Sequence, residues 1–242
     1  MKRLASYVFF VVCCGLALSQ TKTERKCLRE KVITFPELTT SSWVKLHPND
    51  SLDLSAATVC LRFYTDQVST SSCLFSLATP SYPQDFSLSW SADSKQYQMY
   101  IHSAPVLFKG LSLKLNQWNS VCATWDATSG LAQMFVNEVA SIKKMVGPKV
   151  SFKGAPVITL GQYQTQYDGG FQQSYIFTGF VSDVHVHKEV LTSRQIKTYM
   201  EAKIKYKLGD YVNWHNLKYT IAGSAQVEEK QQVTFYTKEE PI

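Results

Sequence analysis

The 242-residue sequence lacks the short motifs that carry most enzyme chemistry. It contains no G-x-S-x-G nucleophile motif, no P-loop and no dinucleotide-binding fingerprint. It also lacks a strand with the E-x-D-x-x-E pattern of paired carboxylates that glycoside hydrolysis on a sandwich fold would require. We therefore expect a binding protein and not an enzyme.

Beyond the N-terminus, no segment is long and apolar enough to cross a bilayer, which takes about 20 residues. The N-terminus itself has Lys2 and Arg3, then an apolar run, then small residues at Ala17 and Ser19. This pattern predicts a signal peptide over residues 1–19 and a secreted, extracellular product that begins at Gln20. A membrane anchor is the alternative, but the apolar run is too short for it.

The sequence has no long block of basic residues, although its formal net charge is +6. Scattered lysines are typical of a solvated surface, so we expect no nucleic-acid specificity. Internal repeats, heptads and low-complexity stretches are also absent, which favours one domain over residues 20–242. Its core is expected over about residues 30–225, followed by a polar C-terminal tail.

Cysteine is sparse, and two of the six cysteines lie in the expected signal peptide. The other four are Cys27, Cys60, Cys73 and Cys122. An oxidising compartment predicts disulfides among them, and four cysteines allow three full pairings. A zinc site is the alternative, but no C-x-x-C motif and no cysteine–histidine pair at ligand spacing supports it.

Two further features concern modification and metals. Asn49-Asp50-Ser51 is a glycosylation sequon in a polar stretch, so Asn49 is a candidate glycan acceptor. His185 and His187 are two residues apart in a strand pattern and therefore share a face. They could bind a metal, but the pattern favours ordinary surface histidines.

The remaining pattern predicts an all-β protein with one short helix. Phe86, Leu88 and Trp90 alternate with serines, as in a half-buried strand, and similar short runs recur between turn residues. Their spacing favours an antiparallel two-sheet sandwich. Residues 191–200 instead have helical apolar spacing, with Thr192 or Ser193 available as the N-cap.

Two segments resemble the pentraxin family: residues 59–65 (VCLRFYT) and residues 120–130 (SVCATWDATSG). Cys122, Thr124 and Trp125 match the family signature H-x-C-x-[ST]-W-x-[ST], whereas Ser120 and Ala127 depart from it. Further blocks agree in order and spacing over most of residues 20–242. The resemblance implies a jelly-roll sandwich like the concanavalin and laminin-G folds.

The resemblance also pairs Cys60 with Cys122. It assigns no partner to Cys27 or Cys73, which could pair with each other, bridge subunits or stay free. Of these, we favour an intramolecular pair.

Pentraxins bind two calcium ions through two loops, so the resemblance implies a calcium cofactor. At the family's ligand positions, however, this sequence has no acidic residue: Tyr163, Thr165, Gln172 and Tyr175 stand there. The groups that could still contribute to a residual calcium or ligand site are Gln84, Asp85, Gln164, Asp168 and Gln172. We therefore expect millimolar calcium affinity at best.

The phosphocholine pocket of the family is altered as well. Ser89 replaces an aromatic residue, and Ala104 or Pro105 stands where a glutamate meets the choline cation. Tyr163, Tyr167, Phe171 and Tyr175 could instead form an aromatic contact surface, or be ordinary packing residues.

As a function, the resemblance implies a secreted pattern-recognition protein of innate immunity. It would assemble as a homo-oligomer, usually a pentamer, and bind microbial or cell-surface ligands and complement components. The alternative is a calcium-independent adhesion or structural module of laminin-G type.

Overall fold

The computed structural model describes residues 25–48, 50–201 and 205–230. Over these residues the chain forms one α-helix, α1 (Ser193–Met200), a 3₁₀ turn at Gln173–Tyr175, and the following strands: β1 Lys31–Phe35, β2 Trp43–His47, β3 Leu52–Leu54, β4 Ala56–Tyr64, β5 Ser72–Ala78, β6 Phe86–Ser91, β7 Gln96–Ile101, β8 Ala104–Phe108, β9 Trp118–Asp126, β10 Leu131–Val136, β11 Val139–Ala140, β12 Lys144–Met145, β13 Phe152–Gly154, β14 Val157–Leu160, β15 Gly179–His187, β16 Val212–Asn213, β17 Lys218–Ala222 and β18 Gln226–Glu229.

The strands form two large antiparallel sheets. In the described residues the first sheet has the order β11-β10-β9-β4-β15-β1-β18, with β12 beside β10 and β16 beside β15. The second has the order β17-β2-β14-β5-β6-β7-β8, and β3 pairs with β13 in a small separate ladder. The two-sheet, mostly β jelly-roll sandwich with one helix confirms the predicted fold class.

The core lies between the two sheets and is built by alternating side chains. On β4, Val59, Leu61 and Phe63 point into it, and on β6 Phe86 and Leu88 do the same. Burying apolar area at about 25 cal/mol per Å² supplies most of the stabilisation of such a sandwich.

The serines of β6 differ from the sequence expectation of a half-exposed strand. Ser87 and Ser89 are fully buried, although they point away from the core. Ser87 lies within 3.3 Å of Ser76 on β5, and Ser76 contacts the side chain of Gln164 from a loop far along the chain. That loop covers this part of the outward face, so both faces of β6 are buried.

Helix α1 begins after its N-cap, Thr192, which is one of the two N-cap residues that the sequence offered. Thr192 and Gln195 form a reciprocal capping box. The helix packs its apolar side, including Ile196 and Tyr199, on the outer face of the first sheet over Cys60 and Cys122. No helix in the described part of the chain combines the length and apolarity needed to span a membrane.

Candidate functional site

The long loop, residues 161–178, connects β14 to β15. Its base is closed by a hydrogen bond of 3.0 Å from the Phe177 N–H to the Gly161 carbonyl. At its tip, Gln166 and Gly169 exchange two backbone hydrogen bonds of 3.3 Å. Gly161 has a φ of +82°, and a Cβ there would lie 2.5 Å from the ring of Phe35, so glycine is required where the loop begins.

Two buried glutamines anchor the long loop to the sheet. The Gln162 amide donates to two backbone carbonyls of the 39–42 turn, at 2.9 and 2.7 Å. The Gln164 amide donates to the carbonyls of Ser76 and Val157, both at 3.1 Å. Because these carbonyls are fixed in the sheet and in a turn, the start of the loop is held rigidly.

A third glutamine joins the long loop to the short loop, residues 79–85, which precedes β6. The Gln84 Nε2 atom donates to the backbone carbonyl of Gln164 at 2.5 Å. The Gln84 carbonyl accepts from the Ser103 N–H at 2.9 Å, and the Asp85 N–H donates to Leu77 at 2.9 Å. Two of the predicted residual ligand residues therefore do meet, but their polar groups bind each other.

Asp85 is buried in the short loop. Its Oδ1 atom lies 2.5 Å from Nδ1 of His102, and both side chains are 1% exposed. Its Oδ2 atom accepts from the Thr79 hydroxyl at 2.9 Å. His102 Nε2 lies 2.9 Å from the Val150 carbonyl and must donate to it, because a carbonyl only accepts. The other ring nitrogen of His102, Nδ1, faces the carboxylate, so Asp85 already has a close partner within the chain.

Asp168 lies at the tip of the long loop and is directed toward β2. Its Oδ1 atom forms an ion pair of 2.6 Å with Lys45, and the Asp168 side chain is 51% exposed. The Lys45 ammonium also lies over the Trp43 ring, 4.5 Å from its centroid. Asp168 is thus paired with a cation of the chain itself.

Thr165 and Gln172 make only local contacts within the long loop. The Thr165 hydroxyl donates to the Gly170 carbonyl at 2.6 Å. The exposed Gln172 amide donates to the same carbonyl at 3.3 Å and to the Thr165 hydroxyl at 3.4 Å. These hydrogen bonds fix the local conformation of the loop, and neither side chain carries a carboxylate that could bind a cation.

Three tyrosines pack together where the long loop lies on the sheet. Tyr163 stacks on Tyr175 with centroids 4.7 Å apart, and Tyr100 of β7 meets Tyr163 edge-on at 5.5 Å. Burial, together with a hydrogen bond to Tyr100, raises the pKa of Tyr163 well above its usual value. Burial likewise raises the pKa of Tyr175. The phenols of Tyr163 and Tyr175 are therefore neutral at physiological pH.

Tyr100 is the member of this tyrosine cluster that the sequence prediction missed. It alternates on β7 with Met99 and Ile101, which are in the core, and it lies opposite Ser87 of β6. That alternation places it on the outward face, which is the signal that could have identified it.

The residues at the positions that the resemblance assigns to a phosphocholine pocket provide neither an aromatic side chain nor a carboxylate for the choline cation. Ser89 is fully buried on β6, and Ala104 and Pro105 begin β8 as half-buried and exposed residues. Tyr167 is 43% exposed, whereas Phe171 and Tyr175 of the same loop are half-buried.

Of the two expected disulfides, one is present and the other is not. Cys60 and Cys122 form a disulfide, as the resemblance implies. The favoured pairing of Cys27 with Cys73 is wrong, because both are free: Cys27 is exposed, and Cys73 is buried in β5. Burial raises the pKa of the Cys73 thiol far above its usual range.

The expectation that His185 and His187 are surface residues is also wrong, because both are fully buried on β15. Burial lowers the pKa of His185 to about 3 and that of His187 to about 4. In the part of the chain that the structure describes, no three His, Cys, Asp or Glu side chains are grouped as metal ligands. The candidate glycan acceptor Asn49, the predicted signal peptide and the end of the tail lie outside the described residues.

Comparison with known proteins agrees with this architecture. The family model of the Pentaxin family matches residues 31–229. Serum amyloid P-component of Mus musculus is 32% identical over 197 residues, which are 81% of this chain and 85% of that protein. C-reactive protein of Xenopus laevis is 32% identical over 203 residues, 83% of this chain and 84% of that protein.

A solved structure shows the same fold. The native heptameric SAP-like pentraxin from Limulus polyphemus superposes with a TM-score of 0.75 at 20% identity, over 83% of this chain and 95% of that one. The family match spans nearly all of the sandwich, from β1 to β18. The chain therefore belongs to the pentraxin family.

Proposed function

We propose that this chain is a secreted recognition protein of innate immunity that binds microbial or damaged-cell surfaces without a calcium bridge. Membership of the pentraxin family supports the recognition role, and the family consists of binding proteins, so the chain is not an enzyme. The observation that carries the calcium-independent part is the pairing of Asp85 with His102 and of Asp168 with Lys45.

Calcium requires six to eight oxygen ligands, and its affinity rises with the number of carboxylates. The two carboxylates of these loops are each within 2.6 Å of a nitrogen of the chain, so neither is free for a cation. The Gln164 carbonyl accepts from Gln84. The side chains present do not fit a calcium ion.

Without a bound cation, the loop has little to attract a phosphate. Asp168 already pairs with Lys45, the lysine beside the loop tip. The exposed Tyr167, with Phe171 and Tyr175, offers aromatic and hydroxyl contacts instead. We propose that recognition uses this aromatic surface and that phosphocholine is not a ligand.

Assembly would strengthen such contacts. The Limulus relative is heptameric, which together with family membership supports a homo-oligomer here; a pentamer is the proposed number. Multivalent display raises avidity by about 10²–10⁴-fold without new contacts. Complement components are proposed as further partners of the assembled ring. The laminin-G-like adhesion module is the alternative, and it shares only the fold.

Calcium titration by calorimetry, with thermal melting in calcium and in chelator, tests the proposal. We expect no heat of binding below the millimolar range and identical melting curves. A triple variant, Tyr163→Glu, Thr165→Asp and Gln172→Glu, should gain calcium-dependent heat because it returns three carboxylates to the loop. A calcium-binding pentraxin is the positive control, and submillimolar binding by the unaltered chain would refute the proposal.

The recognition role needs its own assay. Labelled protein should bind bacterial or apoptotic cell surfaces equally in calcium and in chelator. Binding that disappears in chelator would contradict the calcium-independent mechanism. An absence of binding to every such surface would favour the adhesion-module alternative.

A further inference from the structure

We propose that the Gln84 side chain acts as a built-in clamp that holds the recognition loop where other pentraxins use a cation. The inference rests on the proposed calcium-independent function and deepens it. It assigns Gln84 the role of a positioning residue: it touches no ligand but fixes the long loop that presents the aromatic surface.

The first support is geometric. The Gln84 amide reaches the Gln164 backbone carbonyl at 2.5 Å and thereby joins the short loop to the long loop. A bound cation would join the same two loops by attracting oxygens from both. An N–H donor satisfies the carbonyl directly, so the junction needs no ion.

The second support is the rigidity of the backbone behind Gln84. Its own carbonyl accepts from Ser103, and the neighbouring Asp85 is held through both its backbone and its side chain, by Leu77, His102 and Thr79. Gln84 is also only 9% exposed, so its amide has little access to water. A donor that starts from a fixed backbone loses little entropy when it bonds.

The third support is the tyrosine cluster on the other side of the junction. Tyr163 directly precedes Gln164 and stacks on Tyr175 near the end of the loop, while Tyr100 anchors the pair to β7. Aromatic residues thus fill two positions at which the resemblance implies oxygen ligands. The Gln84–Gln164 hydrogen bond and the tyrosine ring contacts both involve uncharged groups, so neither depends on a divalent cation.

The test is amide hydrogen exchange of residues 161–178 in the full chain, in chelator and in millimolar calcium. The unaltered protein should exchange at equal rates in both. Gln84→Glu keeps the shape but cannot donate while ionised, and Gln84→Met removes the amide without adding charge. Each should speed exchange in the long loop about tenfold, because a buried carbonyl loses its partner.

Gln173→Glu is the matched control: it is the same substitution at an exposed glutamine of the same loop whose side chain makes no hydrogen bond within the described residues, so it should leave loop exchange unchanged. Exchange in β4 and β9 serves as an internal reference for global folding. Calcium-slowed exchange in the unaltered loop would overturn the clamp, as would unchanged exchange in both Gln84 variants. Failure to bind cell surfaces, with the exchange results as expected, would refute the proposed function but leave the clamp standing.

Discussion

At the scale of single residues, the buried histidines of β15 make stability depend on pH. His185 accepts from the Gly209 N–H at 3.2 Å, whereas neither ring nitrogen of His187 has a hydrogen-bond partner among the described residues. Burial lowers their pKa values from the usual 6.5 to about 3 and about 4. Both rings are therefore neutral in the folded protein at physiological pH.

We predict that the free energy of unfolding falls as the pH drops from about 6.5 toward 4. In that window the unfolded chain binds protons that the folded chain excludes, and each histidine removes up to about 1.4 kcal/mol per pH unit. Urea unfolding at a series of pH values measures the slope.

The variant His187→Leu separates this effect from other titrations. It should reduce the slope between pH 6.5 and 4 and should be close to neutral at pH 7, because it removes two unpaired nitrogens. Equal slopes in the two proteins would show that His187 does not contribute.

At the scale of elements, helix α1 depends on its capping box. Thr192 accepts from the Gln195 N–H at 3.3 Å, and Gln195 Oε1 accepts from the Thr192 N–H at 2.8 Å. At the other end, Arg62 donates to the Tyr199 carbonyl and to the Met200 carbonyl, so both termini of the helix have partners.

We predict that Thr192→Ala destabilises the protein by about 1 kcal/mol, because the first turn loses its cap. Thr198→Ala is the matched control, since Thr198 bonds only to the Arg194 carbonyl one turn back and alanine is the better helix former. Chemical denaturation compares the two variants. A loss at residue 198 as large as at residue 192 would contradict the capping argument.

The elements were also the most predictable part of the molecule. Alternation identified β6, and periodicity identified α1 with its possible caps, because both signals are local in sequence. The burial of Ser87 was not predictable in this way, since Gln164, from a loop far along the chain, contacts its neighbour Ser76. The Gln84–Gln164 bond spans 80 residues, and no local pattern encodes such a contact.

At the scale of the whole molecule, the disulfide restricts the unfolded chain. Cys60 and Cys122 are 62 residues apart and fully buried under α1. We predict that the double variant Cys60→Ala, Cys122→Ala loses about 4 kcal/mol and about 10 °C in melting temperature. Differential scanning calorimetry measures the shift. Cys27→Ser is the control and should melt at the same temperature as the unaltered protein, because that thiol is free and exposed. A double variant that also melts at the temperature of the unaltered protein would contradict the prediction.

The position of that disulfide has a second consequence. Cys60 and Cys122 are directly opposite each other on β4 and β9, so the covalent bond lies within one layer and does not tie the two layers together. A slip of one residue between these strands would turn every core side chain of β4 outward, and the bond forbids it. If the two halves of the sandwich are pulled apart, the bond stays intact and preserves the alignment from which they can close again.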